Sequence, residues 1–227
     1  MTRRWEIAVL AIAFAVAGLV TLALVFAGPS TYEALARDTG FAPATFHITD
    51  DRGVSRTEPV ELPRLLDLHE RWLAYVTGRA DAPPSEPGVV LFTVDEYSHM
   101  ADVRRVFVAF GVAAAIGGIA AIVLVLRVAR RGRRAAFVLL RDAAIAAGAG
   151  AALVAVGAAV AFDPLFLLFH EVFFPQGNFL FDADSNLLAV YPDPYWYGVT
   201  LRVGLAFVVA MGIMAIAAAA TLRRAHR

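Results

Sequence analysis

Two histidines are the residues of this chain best suited to acid–base chemistry. His99 lies between two carboxylates, Glu96 and Asp102, each three positions away. His170 lies in residues 162–196, a phenylalanine-rich stretch without arginine or lysine. Histidine is the usual group for proton transfer near pH 7, and a titratable side chain kept among apolar residues is a candidate for function. The two histidines could supply one general base and one general acid.

Local signals place His99 on a helix. Thr93 and Glu96 have the spacing of a capping box, which predicts a helix that begins at residue 94. The spacing then puts Glu96, His99 and Asp102 on roughly one face. Simpler roles are also open: Glu96 could only complete the cap, Asp102 could only pair with a nearby arginine, and His99 could be a solvated interface residue.

The chain has 227 residues, 59% of them hydrophobic, and four apolar windows are long enough to cross a membrane. These windows predict an all-α integral membrane protein, a four-transmembrane-helix bundle with short interfacial helices in two extracytoplasmic loops. We expect a single membrane domain over residues 1–227. The predicted spans are 7–27, 106–126, 143–162 and 203–222, and the loops are 29–105 and 163–197.

The distribution of arginine predicts the orientation of the spans. All 20 basic residues are arginine, and 11 of them cluster near the two termini and around the turn at 127–141. The loop at 29–105 holds 13 acidic residues and eight arginines, and the loop at 163–197 holds five acidic residues and no arginine or lysine. By the positive-inside rule, both termini are predicted in the cytoplasm, with both loops outside.

Composition and motifs exclude several kinds of chemistry. The chain has no cysteine, which excludes disulfides, thiolate metal sites and a cysteine nucleophile, and it has no lysine. It contains no nucleophile elbow, zinc-protease motif, phosphate-binding loop or dinucleotide fingerprint. We therefore expect no cofactor, no metal and no nucleic-acid partner.

The loops carry weaker structural signals. Residues 41–61 are turn-rich and partly extended, and residues 63–77 have the pattern of an amphipathic helix. His69 lies in that helix beside two charged residues, so we expect it to be solvated. Residues 178–181 and 187–190 could pair as a hairpin.

The residues that carry a family resemblance come from two separated segments. His99, Met100, Asp102 and Val103 resemble an H-M-x-D-V motif before a second span. The second segment resembles the F-D…F-H-x-x-F-F…G-x-W-x-F…L…P…W pattern of the lipoprotein intramolecular transacylases (Lit), with Phe179 in place of tryptophan. It consists of Phe162, Asp163, Phe166, Phe169, His170, Phe173, Phe174, Gly177, Phe181, Leu187, Pro192 and Trp196.

The resemblance implies a reaction and a substrate. A membrane acyltransferase of this family would move the sn-2 acyl chain of a diacylglyceryl-cysteine lipoprotein to the N-terminal α-amine of the same molecule, giving a lyso-form lipoprotein. The partners would be the diacylated lipoprotein N-terminus and membrane lipid, and the site would face the outside of the cytoplasmic membrane. Ester-to-amide transfer is downhill, which agrees with the lack of a nucleotide-binding motif.

We predict catalytic roles for His99, His170 and Asp102. His170, among phenylalanines, is the expected base, and His99, near two carboxylates, is the expected acid, although the reverse assignment stays open. Asp102 would orient His99. The residues predicted to bind the substrate are Glu96, Asn178, Arg202, Phe174 and Trp196.

Other functions stay open at this point. The chain could be a non-catalytic four-span membrane protein that binds lipid or a partner protein, with His170 only packed at the interface. It could also be a lipid hydrolase that uses the same histidines to activate water.

Overall fold

The computed structural model describes residues 3–224. Within them the chain forms helices and short strands in this order: α1 (Arg4–Phe26), α2 (Pro29–Thr39), β1 (Ala44–Asp50), β2 (Ser55–Val60), α3 (Leu62–Val76), β3 (Val89–Val90), α4 (Val94–Ala129), α5 (Arg133–Val160), α6 (Phe162–Phe173), α7 (Asn186–Val190) and α8 (Asp193–Arg224). Four of these helices, α1, α4, α5 and α8, are long and apolar enough to cross a membrane. The predicted all-α membrane fold is therefore confirmed.

Contacts divide the chain into two compact units. The first unit consists of Met1–Val25, Phe110–Val160 and Thr200–Arg227, and the second consists of Phe26–Ala109 and Ala161–Val199. The interpretation of residues 1–227 as a single membrane domain stays a prediction.

Small residues allow close helix contacts in the first unit. A Cβ atom added to Gly117 of α4 would lie 3.4 Å from the carbonyl oxygen of Ala13 in α1, and one added to Gly148 of α5 would lie 3.1 Å from Cβ of Met211 in α8. The contact at Gly148 is tighter than a Cβ atom normally makes, so a side chain there would require a small shift of Met211, whereas one at Gly117 would make an ordinary van der Waals contact. Both helix pairs therefore approach closely at small residues. Two buried clusters fill the unit: Leu10, Leu124, Val128, Leu139 and Ala143, and Ala144, Ala147, Phe207 and Met211.

A buried ion pair closes one end of the first unit. Glu6, near the start of α1, is 0% exposed, and its carboxylate lies 2.7 Å from the guanidinium of Arg131 in the turn between α4 and α5. The backbone N–H of Arg3 also donates to Glu6. A carboxylate enclosed in this way must be paired, and the pair ties the start of α1 to the turn.

A small sheet forms part of the second unit. β1 is central and pairs antiparallel with β2 on one side and with the two-residue β3 on the other, in the order β2-β1-β3. Alternating residues of β1 face opposite sides, so Phe46 and Ile48 are buried while Thr45 and His47 are exposed. The partly extended region predicted over residues 41–61 is confirmed.

Aromatic rings make up much of the core of the second unit. Trp72 of α3 is 0% exposed and packs edge-on against Phe92, with ring centroids 5.1 Å apart. The buried apolar side chains of this unit are Tyr32, Leu35, Ala36, Phe46, Ile48, Val60, Leu65, Leu68, Trp72, Val76, Leu91, Phe92, Met100, Phe174, Leu187, Val190, Tyr191, Tyr195 and Val199.

The expectation that His69 is solvated is wrong. His69 is 1% exposed and stacks on Tyr32, with ring centroids 4.3 Å apart. Its Nε2 lies 2.9 Å from the carbonyl oxygen of Ala27, and its Nδ1 lies 3.2 Å from the hydroxyl of Tyr191. Burial lowers the pKa of His69 to about 4, so the ring is neutral. Charged neighbours in the sequence misled the prediction, because the histidine lies on the buried face of α3.

The predicted hairpin of residues 178–181 and 187–190 is also wrong. Residues 186–190 form the short helix α7, and the hydroxyl of Ser185 caps it by accepting a hydrogen bond from the N–H of Leu188. Asn186 then binds two distant segments: its Oδ1 accepts from the N–H of His47 at 2.8 Å, and its Nδ2 donates to the carbonyl oxygens of His47 and Leu91. These tertiary bonds hold α7 against β1 where a strand pair was expected.

We predict that Asn186→Leu destabilises the protein. The substitution leaves three polar backbone atoms without their partner, and Asn186 is only 5% exposed. We expect a loss of about 3 kcal/mol in the free energy of unfolding, seen as a lower unfolding temperature of the purified protein in detergent. Asp184→Ala, at an exposed position two residues away, is the control. Equal unfolding temperatures for the two variants would contradict the role given to Asn186.

Candidate active site

His99 lies on α4 and is almost fully enclosed. Its side chain belongs to the second turn of the helix, which the predicted capping box begins: the N–H of Thr93 donates to Glu96 at 2.6 Å, and the N–H of Glu96 donates to the hydroxyl of Thr93 at 3.2 Å. His99 is 6% exposed. Its Nδ1 is buried and has no hydrogen-bond partner among residues 3–224. A ring nitrogen of this kind is available to a group that enters the site.

His170 lies on α6, and its ring is fixed by its own helix. Nδ1 of His170 lies 2.8 Å from the carbonyl oxygen of Phe166, one turn earlier. Because a carbonyl oxygen can only accept, Nδ1 carries a proton and donates it to this bond. In the neutral ring, Nε2 therefore keeps its lone pair and is the atom that can accept a proton.

The two histidine rings lie face to face. Their centroids are 6.0 Å apart and their planes are inclined by 20°. Phe174 is 2% exposed and packs against both rings, at 4.7 Å from His99 and 5.5 Å from His170. The fold thus brings the two separated histidine motifs together.

Further aromatic side chains surround His170. Its ring centroid lies 4.3 Å from that of Phe166, 5.5 Å from that of Phe169 and 5.2 Å from that of Phe179. Burial among these rings lowers the pKa of His170 below its ordinary value, and the hydrogen bond to the Phe166 carbonyl opposes part of that change. The neutral form of His170, which can act as a base, is therefore favoured at neutral pH.

Asp102 is engaged by three side chains. Its carboxylate accepts from Nε2 of Gln176 at 2.6 Å and from Nδ2 of Asn178 at 2.8 Å, and it pairs with Arg105. Asn178 also interacts with the His99 ring. Asp102 is thus linked to His99 through Asn178. Gln176 was not among the predicted site residues, although its position as a lone polar side chain between Pro175 and Gly177 was a signal in its favour.

Glu96 is enclosed and joins two elements. It is 1% exposed, and beyond its bond to Thr93 its Oε1 accepts from the N–H of Leu187 at 2.8 Å and from the hydroxyl of Ser185. Both carboxylate oxygens are therefore used in contacts within the protein. Glu96 holds α7 against the start of α4, and its predicted contact with substrate stays a prediction.

Trp196 lies near the His170 end of the site, and Arg202 belongs to the other compact unit. The Trp196 ring packs 5.9 Å from that of Phe166, the residue whose carbonyl binds His170, and 5.2 Å from that of Tyr195. Arg202 lies in the segment Thr200–Arg227 of the first unit. Its predicted contact with substrate stays a prediction.

The expected charge on His99 is not supported by these contacts. From the sequence, Glu96 and Asp102 were expected to favour a charged ring. Glu96 instead accepts three hydrogen bonds, and Asp102 accepts from two amides and pairs with Arg105. Donors other than His99 therefore satisfy both carboxylates. Together the contacts make a stacked pair of imidazoles, of which His99 is buried and His170 is half-buried and presents a basic nitrogen.

Within residues 3–224, no group of three or more His, Cys, Asp or Glu side chains is arranged to hold a metal ion.

Comparison with known proteins identifies the family. The sequence profile described as lipoprotein intramolecular transacylase Lit matches residues 41–196, which include both histidine motifs. No characterised protein matches the sequence significantly.

Solved structures have the same fold. The membrane-integral lipoprotein intramolecular transacylase Lit from Bacillus cereus is 14% identical, with a TM-score of 0.73, and the match covers 99% of this chain and 97% of that one. A variant of that protein in which one histidine is replaced by arginine is 14% identical, with a TM-score of 0.68, and the match covers 99% of this chain and 93% of that one. A variant in which a histidine is replaced by alanine is 13% identical, with a TM-score of 0.72, and the match covers 99% of this chain and 94% of that one. Because the family profile covers more than half of the sequence, this chain belongs to the Lit family of lipoprotein intramolecular transacylases.

Proposed function

We propose that this protein transfers an acyl chain within a bacterial lipoprotein, from the sn-2 oxygen of the diacylglyceryl group to the α-amine of the N-terminal cysteine. The observation that carries the proposal is the pair of stacked imidazoles, 6.0 Å apart, in an aromatic enclosure. Such a pair suits a reaction that moves one proton between two atoms of one lipid. Donor and acceptor belong to one molecule, so proximity is built into the substrate.

His170 is proposed as the base. The α-amine, with an ordinary pKa near 8, loses its ammonium proton to water and attacks the ester carbonyl as a neutral amine. Its nitrogen forms a bond to the carbonyl carbon and must then lose another proton, which Nε2 of His170 accepts. The bond between the carbonyl carbon and the glycerol oxygen breaks, and that oxygen receives the proton back from His170. Atoms and charge balance without a cofactor.

His99 is proposed to stabilise the charge that develops on oxygen. Two cationic rings 6.0 Å apart would repel each other. We therefore expect the pair to carry one extra proton at a time, taken up by His170. His99 would then act as a neutral donor to the oxyanion through its buried Nδ1, which has no hydrogen-bond partner within residues 3–224. Phe174 and Trp196 would contact the acyl chains, and Asn178 would support His99.

We predict that His170→Gln and His99→Gln each lower acyl transfer by about 100-fold or more, because each removes proton transfer or oxyanion stabilisation. The measurement is mass spectrometry of a lipoprotein N-terminus from cells that express each variant at equal abundance. His47→Gln is the matched control, since His47 is an exposed histidine on β1, and it should keep full transfer.

The same spectra separate this proposal from its rivals. Transfer gives an N-acyl, sn-2 lyso species. Loss of the acyl chain without N-acylation would instead indicate a hydrolase, and an unchanged lipoprotein would indicate a binding role. Full transfer by His170→Gln would refute the assignment of the base.

We predict a two-part pH dependence for transfer by the purified enzyme. As pH falls below about 8, protonation of the substrate amine lowers the rate, with a slope of about one in log rate against pH. The His170 base is neutral and active above its pKa and is lost as pH falls through it. Because burial lowers that pKa below 6.5, the slope should steepen only below pH 6.5. Steepening at or above pH 6.5 would show that His170 is not held in an apolar site.

The site is proposed to face the outside of the cytoplasmic membrane, with both termini inside. The support is the clustering of arginine near the termini and around residues 127–141, against the acidic loops that hold the histidines. We expect a C-terminal fusion to green fluorescent protein to fluoresce and one to alkaline phosphatase to be inactive. The reverse pattern would place the histidine pair on the cytoplasmic side.

A further inference from the structure

Asp102 is the carboxylate beside the histidine pair that has an exchangeable partner. Its side chain is 15% exposed, and the Arg105 side chain paired with it is 78% exposed. An ion pair made by so exposed a guanidinium contributes little to stability, because water solvates the cation almost as well. Arg105 can therefore leave Asp102 at small cost.

Glu96, the other carboxylate near His99, has no partner that a cation could replace at small cost. It is 1% exposed, and its two oxygens accept from the N–H groups of Thr93 and Leu187 and from the hydroxyl of Ser185. A cation could bind there only by breaking bonds that hold α7 in place. The two amides on Asp102 differ from those donors, since Gln176 and Asn178 both reach Oδ2 while Arg105 pairs with Oδ1. Oδ1 can change partner while Oδ2 keeps its amides.

Asn178 connects this carboxylate to the proposed reaction. Its side chain donates to Asp102 at 2.8 Å and also interacts with His99. Asp102 and His99 are three residues apart on one helix, so their side chains lie on neighbouring positions of one face. A small cation on Oδ1 of Asp102 would be held next to the histidine pair.

We propose that Oδ1 of Asp102 binds the α-ammonium group of the lipoprotein substrate, in exchange for Arg105. The proposal rests on the function proposed above and adds the group that recognises the charged N-terminus. Arg105 occupies the position of the ammonium while no substrate is bound. Because the ion pair forms with the ground-state ammonium, it strengthens substrate binding without accelerating the chemical step.

The exchange also explains how product would leave. The transferred acyl chain converts the ammonium into a neutral amide, which has no charge to pair with Asp102. Arg105 then returns to the carboxylate. The same contact therefore favours the free-amine substrate over the N-acylated product and limits inhibition by product.

The test uses binding, so that it does not depend on turnover. The probes are two synthetic cysteine peptides with a dialkyl glyceryl ether on sulfur, one with a free N-terminus and one N-acetylated. The ether bonds cannot donate an acyl chain. The dissociation constant of each probe is measured by calorimetry at pH 7 with the full chain in phosphatidylcholine nanodiscs. We expect wild-type protein to bind the ammonium probe about tenfold more tightly than the acetylated probe.

Three variants distinguish the effect of the Asp102 charge from the effect of the hydrogen bond that Gln176 donates to it. Asp102→Asn should bring the ratio of the two dissociation constants to about one. Arg105→Gln should raise the preference for the ammonium probe, because the competing cation is gone. Gln176→Ala removes one amide from Asp102 and keeps its charge, so it should keep the wild-type ratio.

Several results would overturn the inference. A wild-type protein without preference, an Asp102→Asn variant that keeps its preference, or an Arg105→Gln variant whose preference does not rise would each do so. Lipoprotein spectra that show the N-acyl lyso product while the probes bind equally would refute the ammonium site alone. A clear ammonium preference without any acyl transfer would refute the proposed reaction and leave the binding site in place.

Discussion

The candidate site depends on a buried carboxylate. Glu96 is enclosed by protein and accepts hydrogen bonds from Thr93, Ser185 and Leu187, groups that lie up to 91 positions away in the sequence. Loss of one partner would leave a charge or a polar group unsatisfied inside the protein, which is far more costly than loss of a solvated contact. The contact therefore fixes α7 against the start of α4, one turn before His99.

The same connection continues to the sheet. Asn186 follows Ser185 and binds both backbone groups of His47 in β1 and the carbonyl of Leu91. β1, α7 and the first turns of α4 are thus joined by polar bonds in a region whose remaining contacts are largely apolar, many of them aromatic. Aromatic packing fills space, and the directional bonds of Glu96 and Asn186 determine which segments meet. The packing and the directional bonds together keep the loop of residues 174–185 close to the histidines, although the loop contains little regular structure.

Local features of the fold were readable from the sequence, and long-range ones were not. The four long apolar helices and the Thr93–Glu96 capping box depend on residues that are near one another in the chain, and both were predicted. The short helix α7 was predicted as a strand, because its conformation is decided by bonds to β1 and α4. His69 was misjudged for a similar reason, since the partners that enclose it, Tyr32 and Tyr191, lie far away in sequence. For the site, both histidines were found from residue type and context, whereas the hydrogen bonds that Gln176 donates to Asp102 and to Oδ1 of Asn178 required the folded loop.

The hydrogen bond between His170 and the carbonyl of Phe166 has a consequence for the route of the proton. Because Nδ1 donates to that carbonyl, Nε2 is the ring nitrogen of His170 that remains to accept a proton. The proton must then leave from the same atom. A histidine with two open nitrogens could relay a proton from one side of a site to the other. His170 cannot act as such a relay, so a group that gives it a proton and a group that takes it back must visit the same atom in turn. This requirement suits a reaction in which the attacking nitrogen and the departing oxygen are attached, at one moment, to the same carbon.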